Sequence, residues 1–227
     1  GASGVNESGF NNGYDNPFVT SLTCGTGDYD QTSDSESFIR AGSENSPKGA
    51  VAAVGVSTLG THTAYNNIVD MGIYDGIFPK SLDHAAAALT NGHIAIYQTY
   101  PSNPGDCAQT FISWTNLMGD PALHLWSGVP TNFGDVIDHP SSIALGTNTM
   151  DITVYDEAGD PVEGARVTLL MGNDVIFTSG LTDGNGQLTL NWEAIESGTM
   201  YITVIKRNHR PYEGTIEISS SVADAAI

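Results

Sequence analysis

Basic residues are what this chain has least of: seven Lys and Arg stand against 26 Asp and Glu, a formal charge of -19. So acidic a surface repels phosphate backbones and anionic headgroups, which excludes nucleic acid as a partner. The acidity reads either as solubility in a saline or extracellular setting or as cation binding. Long apolar runs are also missing. Nothing approaches the roughly 20 residues that cross a bilayer, so no membrane span is expected. Residues 1–10 have neither the basic flank nor the apolar stretch of a signal peptide, and position 1 is not Met. We therefore expect a mature or processed segment whose targeting signal lay upstream. Cysteine is scarce too. Cys24 and Cys107 are too few for a disulfide framework and are not spaced as zinc ligands, though they could pair with each other.

What is present is organised around residues 17–30, PFVTSLTCGTGDYD. Phe18, Val19 and Leu22 with interleaved Thr and Ser read as a short buried strand, with Pro17 before it and Gly25 and Gly27 behind. Cys24 then falls at the strand's carboxyl end, the rim where open α/β sheets bind ligands. It is either a reactive thiol or a buried inert one. Ser33 with Glu36 fits a capping box opening a short helix that stops at Gly42. Residues 48–58, KGAVAAVGVST, have the composition of a strand covered on both faces, so strand, helix and strand form a parallel unit. Residues 59–66 then form a polar loop at the same rim as Cys24, a pocket wall. Helices are expected over 67–78, over 82–100 with Gly92 a weak point, and over 109–118. The GDPALHLW segment turns at Gly119, Asp120 and Pro121 into a brief strand ending at Trp126.

From Gly128 the texture changes. A linker-like stretch gives way to short alternating runs separated by turns, the spacing of a β-sandwich. Ile152 and Val154 begin it; Ala165, Val167, Leu169 and Met171 share one face. Val175 to Thr178 follow, then a DGNG hairpin turn with Gly184 and Gly186 supplying positive φ, then Leu188, Leu190 and Trp192. Strands over 200–206 and 214–218 complete it, and the tail frays. An immunoglobulin-like module is the economical reading. The 227 residues accommodate two such domains.

A cysteine nucleophile needs its thiolate, and so a base or cationic neighbour. Of six His, His84 and His93 belong to an Ala-rich helix as structural residues, and His124 follows the GDP turn as a strand residue. His139 lies in the linker and His209 in the second domain. Only His62 occupies a loop at the right rim, as base or as pocket lining. Asp28 and Asp30 read as solvated loop acids or as cation ligands.

The order of these pieces resembles the carboxy-terminal part of the gingipain-type cysteine peptidases. Its most specific parts are SLTCGTGDYD with the Gly27-Asp28 pair, the strand KGAVAAVGVST, and NLMGDPALHLW. The resemblance implies a caspase-like α/β domain, mostly parallel in its sheet with flanking helices, over residues 1–128. A linker over 129–142, an immunoglobulin-like sandwich over 143–219 and a tail over 220–227 follow. It further implies Cys24 as nucleophile and a catalytic His followed directly by Gly and a small residue. Because the chain opens Gly1-Ala2-Ser3, that His is expected immediately upstream of residue 1, in another portion of the same precursor. Structural calcium is a feature of the family, with Asp28 and Asp30 as candidate ligands; the chemistry requires no cofactor. Family members select basic residues through an acid, yet residues 57–66 contain none, and the pocket wall would be Thr58, Thr61, His62 and Tyr65. The expected function is thus a secreted or surface cysteine endopeptidase acting on peptides or proteins. The alternative is an inactive structural or adhesive surface protein on the same scaffold.

Overall fold

A computed structural model describes residues 4–134 and 139–220. The segment that would adjoin the upstream His, residues 1–3, lies outside these, as do residues 135–138 of the expected linker and residues 221–227 of the expected tail. Two compact units divide the chain, Gly1–Ser127 and Gly128–Ile227, and each has its own apolar core.

The first unit is built on three strands in the order β1 (Phe18–Ser21), β4 (Ala52–Val56), β5 (Thr115–Gly119). β1 and β4 run parallel, with α1 (Asp34–Arg40) between them in sequence. β5 returns antiparallel to β4, so the sheet is mixed where a mostly parallel one was expected. All five β4 residues are buried, as a strand covered on both faces must be. Ser33 caps α1, its hydroxyl accepting from the Glu36 amide at 3.3 Å. After α1 the chain makes a tight two-residue ladder, β2 (Gly42–Ser43) with β3 (Ser46–Pro47).

Helices α2 (Thr63–Ile77), α3 (Ala85–Thr99) and α4 (Cys107–Trp114) supply the rest of the core. α2 begins four residues earlier than the sequence pattern indicated. α4 stops at Trp114, and residues 115–118, expected as helix, are strand. Thr115 takes an extended φ of -94° and ψ of 114°, and Thr115 to Gly119 pair along β4 from Val56 to Ala52. A five-residue ladder satisfies this backbone better than another helical turn would. GDPALHLW is consequently no regular strand. Asp120 accepts from the Ala122 amide at 2.9 Å to shape the turn, and beyond it His124 makes an isolated antiparallel bridge to His84.

In the second unit a five-stranded sheet runs β6 (Ser142–Ala144), β12 (Tyr212–Ser219), β11 (Gly198–Ile205), β8 (Arg166–Met171), β9 (Ile176–Leu181); β10 (Gln187–Ala194) pairs with β7 (Gly146–Thr153) in a second sheet. Period-two alternation buries Val167, Leu169 and Met171 on β8, Met200, Ile202 and Val204 on β11, and Leu190 and Trp192 on β10. Between β9 and β10 the DGNG turn forms, with Asp183 accepting from the amides of Asn185 and Gln187 at 2.9 and 2.8 Å. Only Gly186 of its two glycines has positive φ, +73°. The stretch expected as linker is packed in part: Phe133 joins the core, 7% exposed, and the Gly134 amide donates to the Tyr155 carbonyl at 2.8 Å.

Candidate active site

Cys24 lies three residues beyond the end of β1, in a loop fastened to the parallel strand next door. The Gly25 amide donates to the Thr58 carbonyl at 2.9 Å and the Gly27 amide to the Val56 carbonyl at 3.0 Å. Thr26, 5% exposed, turns its hydroxyl inward to bond the Ser21 and Thr23 carbonyls and to accept from the Val56 amide. Close approach makes this possible. A Cβ on Gly27 would stand 2.6 Å from the Gly55 carbonyl carbon, closer than packed atoms come, so both positions require glycine. Gly25 adds a φ of +71°, which reverses the chain directly after the cysteine.

The sulfur is exposed and unpaired. It is neither enclosed among aliphatic side chains nor bonded to Cys107, whose Sγ lies 3.7 Å from the Gly105 carbonyl. Its neighbour is Thr61, in the loop after β4, with Oγ1 3.0 Å from Sγ. The Thr61 hydroxyl is the main influence holding the Cys24 thiol below its ordinary value; partial burial opposes it, and the Thr61 and Cys24 amides reinforce it. Together with the Thr23 side chain, these donors favour the thiolate, the reactive form.

The four expected wall residues take different duties. Thr61 touches the sulfur. Thr58 secures the loop through its carbonyl, and its hydroxyl accepts from the Gly60 amide at 3.2 Å. His62 is the N-cap of α2, its Nδ1 accepting from the Ala64 amide at 3.2 Å. A neutral imidazole that accepts at Nδ1 carries its proton on Nε2. The one basic nitrogen is therefore occupied, and His62 is a helix cap here rather than a base for Cys24. Tyr65, inside α2 instead of in the loop, packs its ring on Phe111 and Tyr100 at centroid distances of 5.4 and 5.2 Å. Burial pushes its phenol upward, and Cys107 and Tyr100 add to that. Sequence reasoning did not single out Thr61 as the sulfur's partner, because only the β1–β4 pairing brings residue 61 to residue 24.

Asp28 accepts from the Asp30 amide at 3.2 Å and from the Gln31 side-chain amide at 3.5 Å. Calcium takes six to eight oxygens, so two carboxylates in this loop fall short of a calcium shell by themselves. Among the described residues the one three-membered group of ligating His, Cys, Asp or Glu side chains is Asp83, His84 and His124. His93, half-buried, is held below its ordinary value by that burial.

Comparison with known proteins bears on this arrangement. The sequence profile of peptidase family C25 matches residues 5–126. No curated protein sequence matches. Among solved structures, the Arg specific cysteine proteinase gingipain R (RgpB) is similar with a TM-score of 0.70 at 18% identity, over 92% of this chain and 47% of that one. A complex of Porphyromonas gingivalis RgpB pro- and mature domains gives 0.68 at 18% identity, over 92% and 48%. A further structure described as a protease gives 0.64 at 18% identity, over 88% and 46%. The chain therefore spans about half the length of the structures it matches, and at this identity the likeness concerns the fold.

Proposed function

The chain belongs to peptidase family C25, the gingipain-type cysteine peptidases, and on that premise we propose that it is the nucleophile-bearing portion of a secreted or surface cysteine endopeptidase. The observation that carries this reading is the exposed Cys24 sulfur at the rim of a parallel strand pair, with the Thr61 hydroxyl 3.0 Å away. In the proposed reaction a His from the upstream portion of the same precursor takes the thiol proton. The thiolate attacks the scissile carbonyl, forming a carbon–sulfur bond while the carbonyl electrons move to oxygen. The oxyanion collapses, the carbon–nitrogen bond breaks, and the His returns its proton to the leaving amine. Water then hydrolyses the thioester. Backbone amides hold the oxyanion; the Gly25 N–H is committed to the Thr58 carbonyl. Within this reading the second unit is an immunoglobulin-like module, and calcium bound by the Asp28–Asp30 loop would draw its remaining oxygens from backbone and water.

β1 supports the incoming partner: among the described residues it pairs only with β4, and its other edge offers an unpaired ladder to an upstream strand. No described His bonds Cys24, which favours the rival reading, an inactive surface scaffold, until the upstream portion is supplied. The test is to coexpress this chain with that portion and treat the assembly with a peptidyl acyloxymethyl ketone. We expect peptide hydrolysis and an adduct on Cys24, both lost in Cys24→Ala and neither seen without the partner. Equal, sluggish labelling of Cys24 and Cys107 in the full assembly, with no hydrolysis, overturns the peptidase reading.

A further inference from the structure

A second chemical site lies in the first unit, assembled from residues the peptidase reading leaves unused. Asp83 and His84 end the loop ahead of α3, and His124 sits in the extended segment after the Gly119–Pro121 turn. His84 is the N-cap residue of α3, with extended φ and ψ of -101° and 139°, yet its side chain makes no capping bond, so the imidazole is released from helix duty. The backbone around the group is pinned. The Ala85 amide donates to the Leu123 carbonyl at 3.0 Å and the Leu125 amide to the Asp83 carbonyl at 2.6 Å, while Ala85 and Leu125 are buried at 0% and 4% exposure. His84 and His124 thus face each other across an antiparallel bridge, their side chains on one face and their ring centroids 4.2 Å apart.

Both imidazoles aim the same nitrogen at one carboxylate. Asp83 Oδ1 lies 2.8 Å from His84 Nδ1, and Oδ2 lies 3.0 Å from His124 Nδ1. All three ligand atoms fall within 4.8 Å of one another. We propose that Asp83, His84 and His124 bind a single zinc-class transition-metal ion through one carboxylate oxygen and two Nδ1 atoms, leaving a fourth position for water. Tetrahedral zinc with bonds of about 2.0–2.2 Å holds its ligand atoms roughly 3.3–3.5 Å apart; the two imidazoles stand on opposite oxygens of the Asp83 carboxylate, so binding through one oxygen requires the carboxylate to rotate and the group to adjust within its 4.8 Å span. Two imidazole nitrogens and one carboxylate suit zinc, copper or nickel, whereas calcium and magnesium require oxygen shells. Side-chain exposures of 32%, 42% and 53% for Asp83, His84 and His124 leave a path for the ion. The bound ion would clamp the start of α3 to the segment leading out of the first unit.

The proposal is tested on tag-free chain in a Cys24→Ala, Cys107→Ala background, which removes the thiols as competing ligands. Titration with Co2+ should give a saturable visible absorption at one equivalent, bleached by Zn2+, and Zn2+ should raise the melting temperature. His84→Gln or His124→Gln should each weaken Zn2+ binding by about 10- to 100-fold or more, since even outer-shell losses cost that much. Should either variant fold poorly, imidazole 15N shifts in the unsubstituted background decide the matter: Zn2+ should displace the Nδ1 resonances of His84 and His124 together. Absence of saturable uptake, affinity unchanged in the His84→Gln, His124→Gln double variant, or Zn2+-induced shifts confined to other histidines would overturn it.

Discussion

At the scale of single residues, the chemistry of this chain turns on what surrounds one sulfur. Thr61 is the chief reason the Cys24 thiol sits below its ordinary value, and a hydroxyl that donates to a thiolate loses that role when replaced by a methyl. Thr61→Val should therefore move the alkylation of Cys24 by iodoacetamide to higher pH. The sign follows directly: removing a donor to the charged form raises the pKa, so less thiolate exists at neutral pH. Val is nearly isosteric, and melting temperature should change little. A pH profile identical to that of the parent would show that Thr61 does not tune the sulfur. His62, one residue along, was the sequence's best internal base, but its Nδ1 serves the first turn of α2. A residue's type advertises its chemistry, while the backbone donors around it decide whether that chemistry is available.

Among elements, the informative case is the α2–α3 pair. Residue by residue, Gly92 reads as a defect in a helix, costing about 1 kcal/mol against Ala. In the fold it is where the two helices touch. A Cβ there would lie 2.7 Å from the Val69 carbonyl oxygen and 3.0 Å from Ile73 Cγ1, and one on Gly72 would lie 2.7 Å from the Gly92 Cα. Buried Asn91 seals the same crossing by donating to the Gly72 carbonyl at 2.6 Å. Gly92→Ala gains helix propensity but forces backbone apart, and overpacking of this kind costs about 1–3 kcal/mol. The carbonyl cannot step aside as a flexible side chain can, so the clash should win, by up to about 2 kcal/mol. Urea unfolding checks this; a midpoint at or above the parent's would mean that the helices separate at little cost. The same competition between local preference and partner explains residues 115–118, where strand pairing with β4 displaced an expected helix.

At the scale of the whole molecule, the chain divides into two units, each with an apolar core of its own. The second unit closes an apolar core of its own, with Ile152, Leu169, Met200, Ile202 and Ile216 all at most 1% exposed. Residues 128–227 expressed alone should fold cooperatively, with a single denaturant transition and dispersed amide resonances. A broad transition or collapsed dispersion would show that this core needs the rest of the chain. The first unit presents a three-stranded sheet whose β1 edge is unpaired among the described residues, and the chain as a whole spans about half the length of the solved structures it matches. Among the described residues no helix is long and apolar enough to cross a membrane.

The amino-acid sequence alone determined the local grammar of this protein: the Ser33 cap, the buried run of β4, the alternating faces of β8, β10 and β11, and the DGNG turn. Each of these depends on neighbours a few positions away, where periodicity and turn chemistry act. It also carried Cys24 to a strand's carboxyl end and supported the family resemblance. Tertiary structure alone decided that Thr61 meets the sulfur, that the Gly119–Asp120–Pro121 turn follows a strand, and that His84 and His124 converge on Asp83. Those outcomes depend on contacts between residues 37 and 41 positions apart and on the pairing of β5 with the distant β4. Such pairings are fixed by which backbone ladders and apolar faces can be satisfied together, a global condition that no short window of sequence contains.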